Sequence, residues 1–258
     1  MQGLEPKSAY GGRQQTVFRR YELKYLLSER QKQKILFAME AFMQPDRYGQ
    51  TTVRNLYYDT DNYLLIRRSV EKPAYKEKLR IRSYSQATAD DTVFVELKKK
   101  YENVVYKRRI PMQNKEVMKW LAGEQHSDNP TQIAEEIDYF LSFYGALAPK
   151  VFLSYRRQAY YAKDGSDFRI TFDDQILCRQ TDLSLQSDVY GTEILPAGQV
   201  LMEIKCSGGI PLWLTKVLSE EKIYKTSFSK YGTAYKTLIF PQNHKMNAYQ
   251  MAEVNVNV

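Results

Sequence analysis

The chain has 258 residues, of which 43% are hydrophobic, a composition typical of a globular protein with a sizeable core. Lysine and arginine total 38 against 30 aspartate and glutamate residues, and the resulting charge of +8 indicates acidic partners. Two cysteines are too few for a disulfide framework. The first residues lack the apolar segment of a signal peptide, and no window is apolar enough to span a membrane, so we expect a soluble cytoplasmic protein.

The first predicted strand and helix lie near the start of the chain. Residues 17 to 27 alternate in polarity, which places Glu22 and Lys24 on one face, because successive side chains of a strand point to opposite faces. Ser28 is the predicted N-cap of a helix that ends before Pro45. The side chains at helical spacing, which we expect in the core, are Ile35, Leu36, Met39 and Phe42.

A second strand is predicted at residues 51 to 58, and a short helix at residues 64 to 70. The polar cluster between them contains Asp59, which could be read as a metal ligand. Turn formation is the commoner role of an aspartate in such a cluster, and we favour it.

Three strands between residues 78 and 109 have the clearest pattern in the sequence. Charged residues alternate with aliphatic ones, and the connections fit an antiparallel meander. The charged residues are Lys78, Arg80 and Arg82, then Glu96, Lys98 and Lys100, then Lys107 and Arg109. For any one strand, a solvated face is the simpler interpretation. Because the charged faces are mostly basic and recur along the chain, we favour one shared surface.

The second half of the chain returns to this pattern. The predicted elements are helices at 114 to 122 and 131 to 144, hairpin strands at 150 to 161 and 167 to 173, a strand at 200 to 206 and a helix at 212 to 223. The polar positions of the strands are Arg157, Arg169, Thr171, Asp173, Glu203 and Lys205. A segment rich in serine, lysine and tyrosine follows, and it contains Ser229 and Lys230.

We predict one domain over residues 17 to 241, with disordered segments at 1 to 16 and 242 to 258. If the charged faces lined a closed interior, each unpaired charge would be costly, so that interior would need water or a bound anion. Arginine forks and lysine point charges together suit multiply charged phosphates. The sequence therefore favours a phosphorylated polyanion as the ligand.

The charged motifs follow one order along the chain: Glu22-x-Lys24, Lys78-x-Arg80-x-Arg82, Glu96-x-Lys98, Lys107-x-Arg109, Arg169-x-Thr171-x-Asp173, Glu203-x-Lys205 and a Ser-Phe-Ser-Lys-Tyr sequence. In this order they resemble the triphosphate tunnel metalloenzymes, and among them the VTC domain, the polyphosphate polymerase domain of the vacuolar transporter chaperone complex. The resemblance covers about residues 17 to 240. It implies an α+β fold in which about eight antiparallel strands form a closed β-barrel, a tunnel with helices packed outside.

The resemblance also implies an activity, the transfer of the γ-phosphate of ATP to a growing inorganic polyphosphate chain. A triphosphatase that hydrolyses inorganic or nucleoside triphosphates and a non-catalytic polyanion-binding module are the alternatives. The residues implied in phosphate binding are Lys24, Lys78, Arg80, Arg82, Lys98, Lys107, Arg109, Arg157, Arg169, Lys205, Ser229 and Lys230. Of these, Lys24, Arg80, Arg82, Lys98, Arg157 and Arg169 would be catalytic together with Glu203. Glu203 would also bind Mn²⁺ or Mg²⁺, and Glu22, Glu96 and Asp173 could assist it.

Two positions depart from the superfamily's motifs. Arg20 stands where an acidic residue is common, which removes one metal-binding carboxylate and suits the polymerases better than the hydrolases. Ser227 stands where a lysine would be expected, and Lys225 could replace that lysine.

Other classes of function have little support in the sequence. His126 and His244 are the only histidines, so histidine-based catalysis has few residues to use, and no phosphate-binding glycine motif is present. Many of the 21 tyrosines alternate with apolar residues, as core residues do, and we expect no nucleic-acid partner. A membrane-protein partner would have to be encoded separately.

Overall fold

The computed structural model of the chain describes residues 21–102, 104–124 and 131–241. The two segments predicted to be disordered lie outside the described residues, as do Arg20, His126 and His244. In the described part of the chain, no helix has the length and apolar character needed to cross a membrane.

The described residues form one antiparallel sheet and a set of helices. The strands are β1 (Tyr21–Ser28), β2 (Met43–Asp59), β3 (Tyr75–Ser83), β4 (Thr92–Tyr101), β5 (Val104–Gln113), β6 (Ala148–Ala162), β7 (Arg169–Arg179), β8 (Thr192–Glu193), β9 (Gln199–Cys206) and β10 (Lys225–Thr226). The helices are α1 (Glu29–Met39), α2 (Leu64–Val70), α3 (Asn114–Leu121), α4 (Gln132–Tyr144), α5 (Leu212–Glu220) and α6 (Lys230–Ala234), which continues into a π-helical turn (Tyr235–Ile239). This architecture confirms the predicted α+β class.

The sheet is strongly curved. Its strand order is β10-β1-β9-β7-β6-β2-β3-β4-β5, with β8 paired to β7, so five strands separate β1 from β4. In a flat sheet this separation would be about 29 Å, yet Lys98 Nζ of β4 lies 3.4 Å from Glu22 Oε2 of β1. The curvature therefore brings the two ends of the sheet together through their side chains. Among the described strands, β5 and β10 end the order without pairing to each other, and the closed barrel stays a prediction.

The convex face of the sheet carries most of the apolar core. Leu79, Val95 and Leu97 of the basic strands are fully buried under α3 and α4, as the alternation predicts. Met202 and Ile204 of β9 are equally buried in a second cluster with residues of α1 and α5. Each such side chain contributes about 1.5 to 3 kcal/mol of transfer free energy, so the convex face fixes which side chains point inward.

One part of the concave face is apolar. Tyr231 and Ala234 of α6 and Ile239 of the π-helical turn pack there against Val151 and Leu153 of β6. The hydroxyl group of Tyr231 donates a hydrogen bond to the buried carboxylate of Asp59, at 3.0 Å, and this bond ties α6 to the end of β2. The last helix thus covers a section of the concave face and leaves the rest to charged residues.

Asp59 has a structural role, as we favoured. Its carboxylate accepts hydrogen bonds from the backbone N–H groups of Thr60, Leu65 and Ile66, at 2.9, 2.9 and 3.0 Å. Leu65 and Ile66 lie in the first turn of α2, whose N-cap residue, Tyr63, makes no side-chain capping bond of its own.

Several predicted boundaries were wrong, among them the end of α1, the start of β2 and the end of β7, which continues to Arg179 rather than stopping at residue 173. Helix α1 begins as expected, with a capping box formed by Ser28 and Gln31, but it ends at Met39. Phe42 is therefore not in the core: it is 47% exposed and stacks on Trp213, with ring centroids 5.2 Å apart. Strand β2 begins earlier than predicted because a register shift after Pro45 lets it continue its pairing with β6.

Candidate functional site

Strand alternation gathers the charged motifs on the concave face of the sheet. The cations are Lys24, Lys78, Arg80, Arg82, Lys98, Lys107, Arg109, Arg157, Lys205 and Lys230, and the carboxylates are Glu22, Glu96, Asp173 and Glu203. Cations outnumber carboxylates by more than two to one. The sequence predicted this shared surface, and the structure brings together side chains from β1, β3, β4, β5, β6, β7, β9 and α6.

Glu96 is the centre of the first cluster. It lies between strands β3 and β5, opposite Arg80 on one side and Arg109 on the other. Arg80 donates through Nε and Nη2 to Glu96 Oε2, at 2.8 and 2.7 Å, and Lys107 Nζ lies 2.6 Å from Oε1. Burial acts to raise the pKa of Glu96, but Arg80, Arg82 and Lys107 outweigh it and hold that pKa well below its usual value. Glu96 therefore stays ionised and holds the guanidinium groups in place.

Asp173 and Glu203 form the second cluster. Arg157 binds Asp173 through two hydrogen bonds of 2.6 Å, and its Nη2 lies 3.5 Å from Glu203 Oε2. Lys230 Nζ bridges the two carboxylates, 2.5 Å from Asp173 Oδ2 and 3.1 Å from Glu203 Oε1. Lys24 Nζ completes the cluster at 3.5 Å from Glu203 Oε1. These cations hold the pKa of Glu203 well below its usual value, although burial acts to raise it.

Two lysines of the concave face, Lys78 and Lys205, have no carboxylate partner within 4 Å among the described residues. Lys78 lies directly opposite Lys98 on the neighbouring strand, and within the described part of the chain its side chain donates one hydrogen bond, to Ser229 Oγ at 3.3 Å. Burial, followed by repulsion from Lys98, lowers the pKa of Lys78 to about 7. Lys205 forms no hydrogen bond or ion pair with the described residues, and burial lowers its pKa to about 8. This crowding of like charge is what a bound polyanion would relieve.

Three predicted positions differ from the expectation. Arg169 is half exposed and pairs with Asp46 at 3.3 Å, so it lies at the rim of the concave face. Lys230 is buried against Asp173 and Glu203, where its charge is already neutralised. Ser229 caps α6 by accepting a hydrogen bond from the backbone N–H of Gly232. Helix α6 lies inside the curved sheet, which sequence periodicity does not reveal.

Sequence reasoning missed the polar side chains between the charges. Asn55 Oδ1 accepts a hydrogen bond from Arg82 Nε at 3.0 Å, and Tyr57 accepts one from Arg80 at 2.7 Å. The hydroxyl group of Tyr155 lies 3.3 Å from Arg82 Nη2. Tyr155 follows the same two-residue alternation as Arg157 on β6, and Asn55 and Tyr57 alternate in the same way on β2. This alternation was the available signal, but tyrosine also suits a core.

The carboxylates differ in how well they fit a metal ion. The described residues hold no group of three or more histidine, cysteine, aspartate or glutamate side chains that could bind one. Asp173 and Glu96 fit poorly because cations lie within 2.6 Å of them. Glu203 and Glu22 have looser neighbours, at 3.1 Å or more, and Lys24 lies between them. One or two such carboxylates suit a Mg²⁺ or Mn²⁺ ion whose other ligands are water and substrate phosphates.

A curved antiparallel sheet with a cation-rich concave face is a fold suited to multiply charged anions. The chain belongs to the VTC domain family, whose family model matches residues 19–239. It is also similar in structure to a candidate adenylate cyclase from Bacillus halodurans, with a TM-score of 0.52, 15% identity and coverage of 83% of this chain and 95% of that one.

A second structural relative is a candidate adenylyl cyclase from Hippeastrum described as having a dominant triphosphatase activity. Its TM-score is 0.51 at 17% identity, with 84% of this chain and 94% of that one covered. Both likenesses support the fold alone at such identities. No curated protein sequence matches the chain.

Proposed function

We propose that the protein is a polyphosphate polymerase, which transfers the γ-phosphate of ATP to the end of an inorganic polyphosphate chain. The observation that carries this proposal is the surplus of cations on the concave face, where Lys78 and Lys205 have no carboxylate partner within 4 Å among the described residues. A triphosphate and a growing chain would supply the missing negative charge. Membership of the VTC domain family supports the same activity.

Phosphoryl transfer needs mainly positioning and charge neutralisation from a protein. Arg80 and Arg82 are held by Glu96, and Arg157 by Asp173, so their guanidinium groups are oriented before a ligand arrives. An oxygen of the terminal phosphate of the chain attacks the γ-phosphorus of ATP, and the bond to the β-phosphate oxygen breaks. ADP leaves, the chain gains one phosphate, and no proton is consumed. The arginines and lysines stabilise the charge on the transferring group.

A divalent ion fits this scheme at Glu203, with Glu22 nearby. Bound there, Mg²⁺ or Mn²⁺ would neutralise phosphate charge as a Lewis acid. Lys24, which lies between the two carboxylates, would then be free to bind phosphate. We further propose that the ends of the curved sheet complete a tunnel through which the product chain leaves.

The triphosphatase is the second candidate, because the Hippeastrum relative has that described activity. The two reactions differ only in the acceptor, which is water for the triphosphatase. A single experiment separates them. The full chain is incubated with ATP and MnCl₂, and the products are resolved on a polyacrylamide gel and assayed for orthophosphate. Long chains support the polymerase, orthophosphate alone supports the hydrolase, and unchanged ATP leaves only a binding role.

A matched pair of variants ties the activity to the concave face. Lys205→Gln removes a charge that has no ion-pair partner among the described residues, so we expect a folded protein with at least tenfold lower turnover. Lys216→Gln removes a charge on α5 that is 76% exposed, and turnover should not change. Equal activity in both variants would contradict the proposed site.

A further inference from the structure

Two aromatic side chains continue the charged faces of β3 and β4 at one end. Tyr84 is two residues beyond Arg82, so it extends the same alternation just past the end of β3, and it is 42% exposed. Phe94 of β4 lies directly opposite Arg82. The rings of Tyr84 and Phe94 meet edge to face, with centroids 5.8 Å apart. They form an aromatic edge to the cationic surface, which we call the aromatic rim.

Arginine side chains hold the aromatic rim in place. The guanidinium carbon of Arg109 lies 3.5 Å from the ring centroid of Phe94, and Arg109 Nη2 donates a hydrogen bond of 3.2 Å to the hydroxyl group of Tyr84. Glu96, which is buried, lies 3.6 Å from Arg109 Nε. The exposed ring of Tyr84 therefore has a fixed position beside the phosphate-binding arginines.

The concave face changes in character along these three strands. The aromatic rim comes first, with Arg82 opposite Phe94, followed by Arg80 and Arg109 on either side of Glu96, and finally by Lys78, Lys98 and Lys107. Each step of two residues covers about 6.6 Å. A nucleoside triphosphate has the same order of chemistry, since a flat base is followed by consecutive phosphates.

We infer that the aromatic rim is a subsite for the base of a nucleoside triphosphate, which stacks on Tyr84 beside Arg109. This inference rests on the proposed function, and it adds the orientation of the bound nucleotide. With the base at the rim, the γ-phosphate points towards Lys78 and Lys98, and the acceptor chain lies at the lysine end. Stacking tolerates any base, so ATP and GTP should bind with similar affinity.

Binding of ligands with and without a base tests this inference. The full chain is titrated by calorimetry with ATP, GTP and inorganic triphosphate, in chelator to prevent turnover. The variants are Tyr84→Ala, Tyr84→Phe and, as a control, Tyr139→Ala, which removes an exposed tyrosine from α4. Tyr84→Ala should weaken ATP and GTP binding about tenfold and change the affinity for inorganic triphosphate less than twofold. Tyr84→Phe and Tyr139→Ala should bind all three ligands like the wild type.

Other outcomes would overturn the inference. If Tyr84→Ala weakens all three ligands equally, Tyr84 only orients Arg109 and takes no base. If the affinities do not change, no stacking occurs at the rim, while the proposed function stands because the wild type binds triphosphate. If the wild type binds none of the ligands, the inference and the proposed function both fail. A melting temperature within 2 °C of the wild type for each variant would exclude unfolding as the cause.

Discussion

Lys78 shows at the level of one residue how the concave face responds to an anion. Its pKa is about 7 in the free protein, below the ordinary value for lysine, because of burial and then Lys98. In the unfolded chain Lys78 keeps its proton up to a pH of about 10, whereas in the folded protein it loses the proton near pH 7. The burial of Lys78 therefore destabilises the folded protein less as pH rises from about 7 to 10. A bound polyanion would raise the pKa of Lys78, because it stabilises the charged form of the lysine.

We therefore predict that triphosphate binding takes up protons and weakens as pH rises from 7 to 9. Lys78→Arg keeps its charge throughout this range, and its proton uptake at pH 8 should be lower than that of the wild type by roughly 0.9 proton. Calorimetry in two buffers with different ionisation enthalpies measures the uptake. The same uptake in both proteins would show that Lys78 is already charged before the ligand binds.

Glu203 carries the second prediction at the scale of a residue. Glu203→Gln preserves size and hydrogen bonding but removes the carboxylate charge that a hard divalent ion requires. We expect it to abolish manganese-dependent turnover while metal-free binding of polyphosphate is unchanged or tighter, because a competing negative charge is gone. A manganese titration of turnover, with polyphosphate binding measured in chelator, tests both effects. Normal turnover in the variant would assign the metal to another carboxylate, with Glu22 the next candidate.

At the scale of elements, β3, β4 and β5 are linked through Glu96. Arginines that only repel one another could be removed without loss of stability. Arg80 is not such a residue, because it makes two short contacts with a carboxylate that is 1% exposed. Lys98 differs, since its side chain is 40% exposed and its ion pair with Glu22 is 3.4 Å long.

The two side chains should therefore differ in their effect on folding. Arg80→Ala should lower the free energy of unfolding by about 1 to 3 kcal/mol, because it removes hydrogen bonds to a buried charge. Lys98→Gln should change it by less than about 0.5 kcal/mol, as expected for an exposed pair. Urea denaturation of both variants measures the difference. Equal stability would mean that Glu96 does not depend on Arg80 and that the charges of β3 act only on ligands.

The strands of the meander could be predicted from sequence because their alternation is local. Ion-pair partners could not be predicted, since they depend on how the sheet curves and on where α6 lies. Lys230, for example, is 57 residues from Asp173 in sequence, yet their charged atoms lie 2.5 Å apart. The end of α1 was missed because Phe42 has helical spacing but finds its partner, Trp213, on α5. Periodicity predicts which face of a strand or helix a side chain occupies, but it does not predict which residues that side chain contacts.

At the scale of the whole molecule, we propose that the concave face binds a polyanion. Cations from seven elements converge there. The phosphates of a bound ligand would replace water and relieve the repulsion between the lysines. Such binding should depend on salt, because the Debye length is only about 10 Å at an ionic strength of 0.1 M and the solvent-exposed charges of the concave face are screened over that distance.

Calorimetric titration of the full chain with inorganic triphosphate tests this claim most directly. We predict one saturable site, an affinity that falls as salt rises, and binding at least tenfold weaker in Lys205→Gln than in Lys216→Gln. Orthophosphate at the same ionic strength should bind far more weakly, because it contacts fewer of the cations. Absence of saturable binding, or equal affinity in the two variants, would contradict the account.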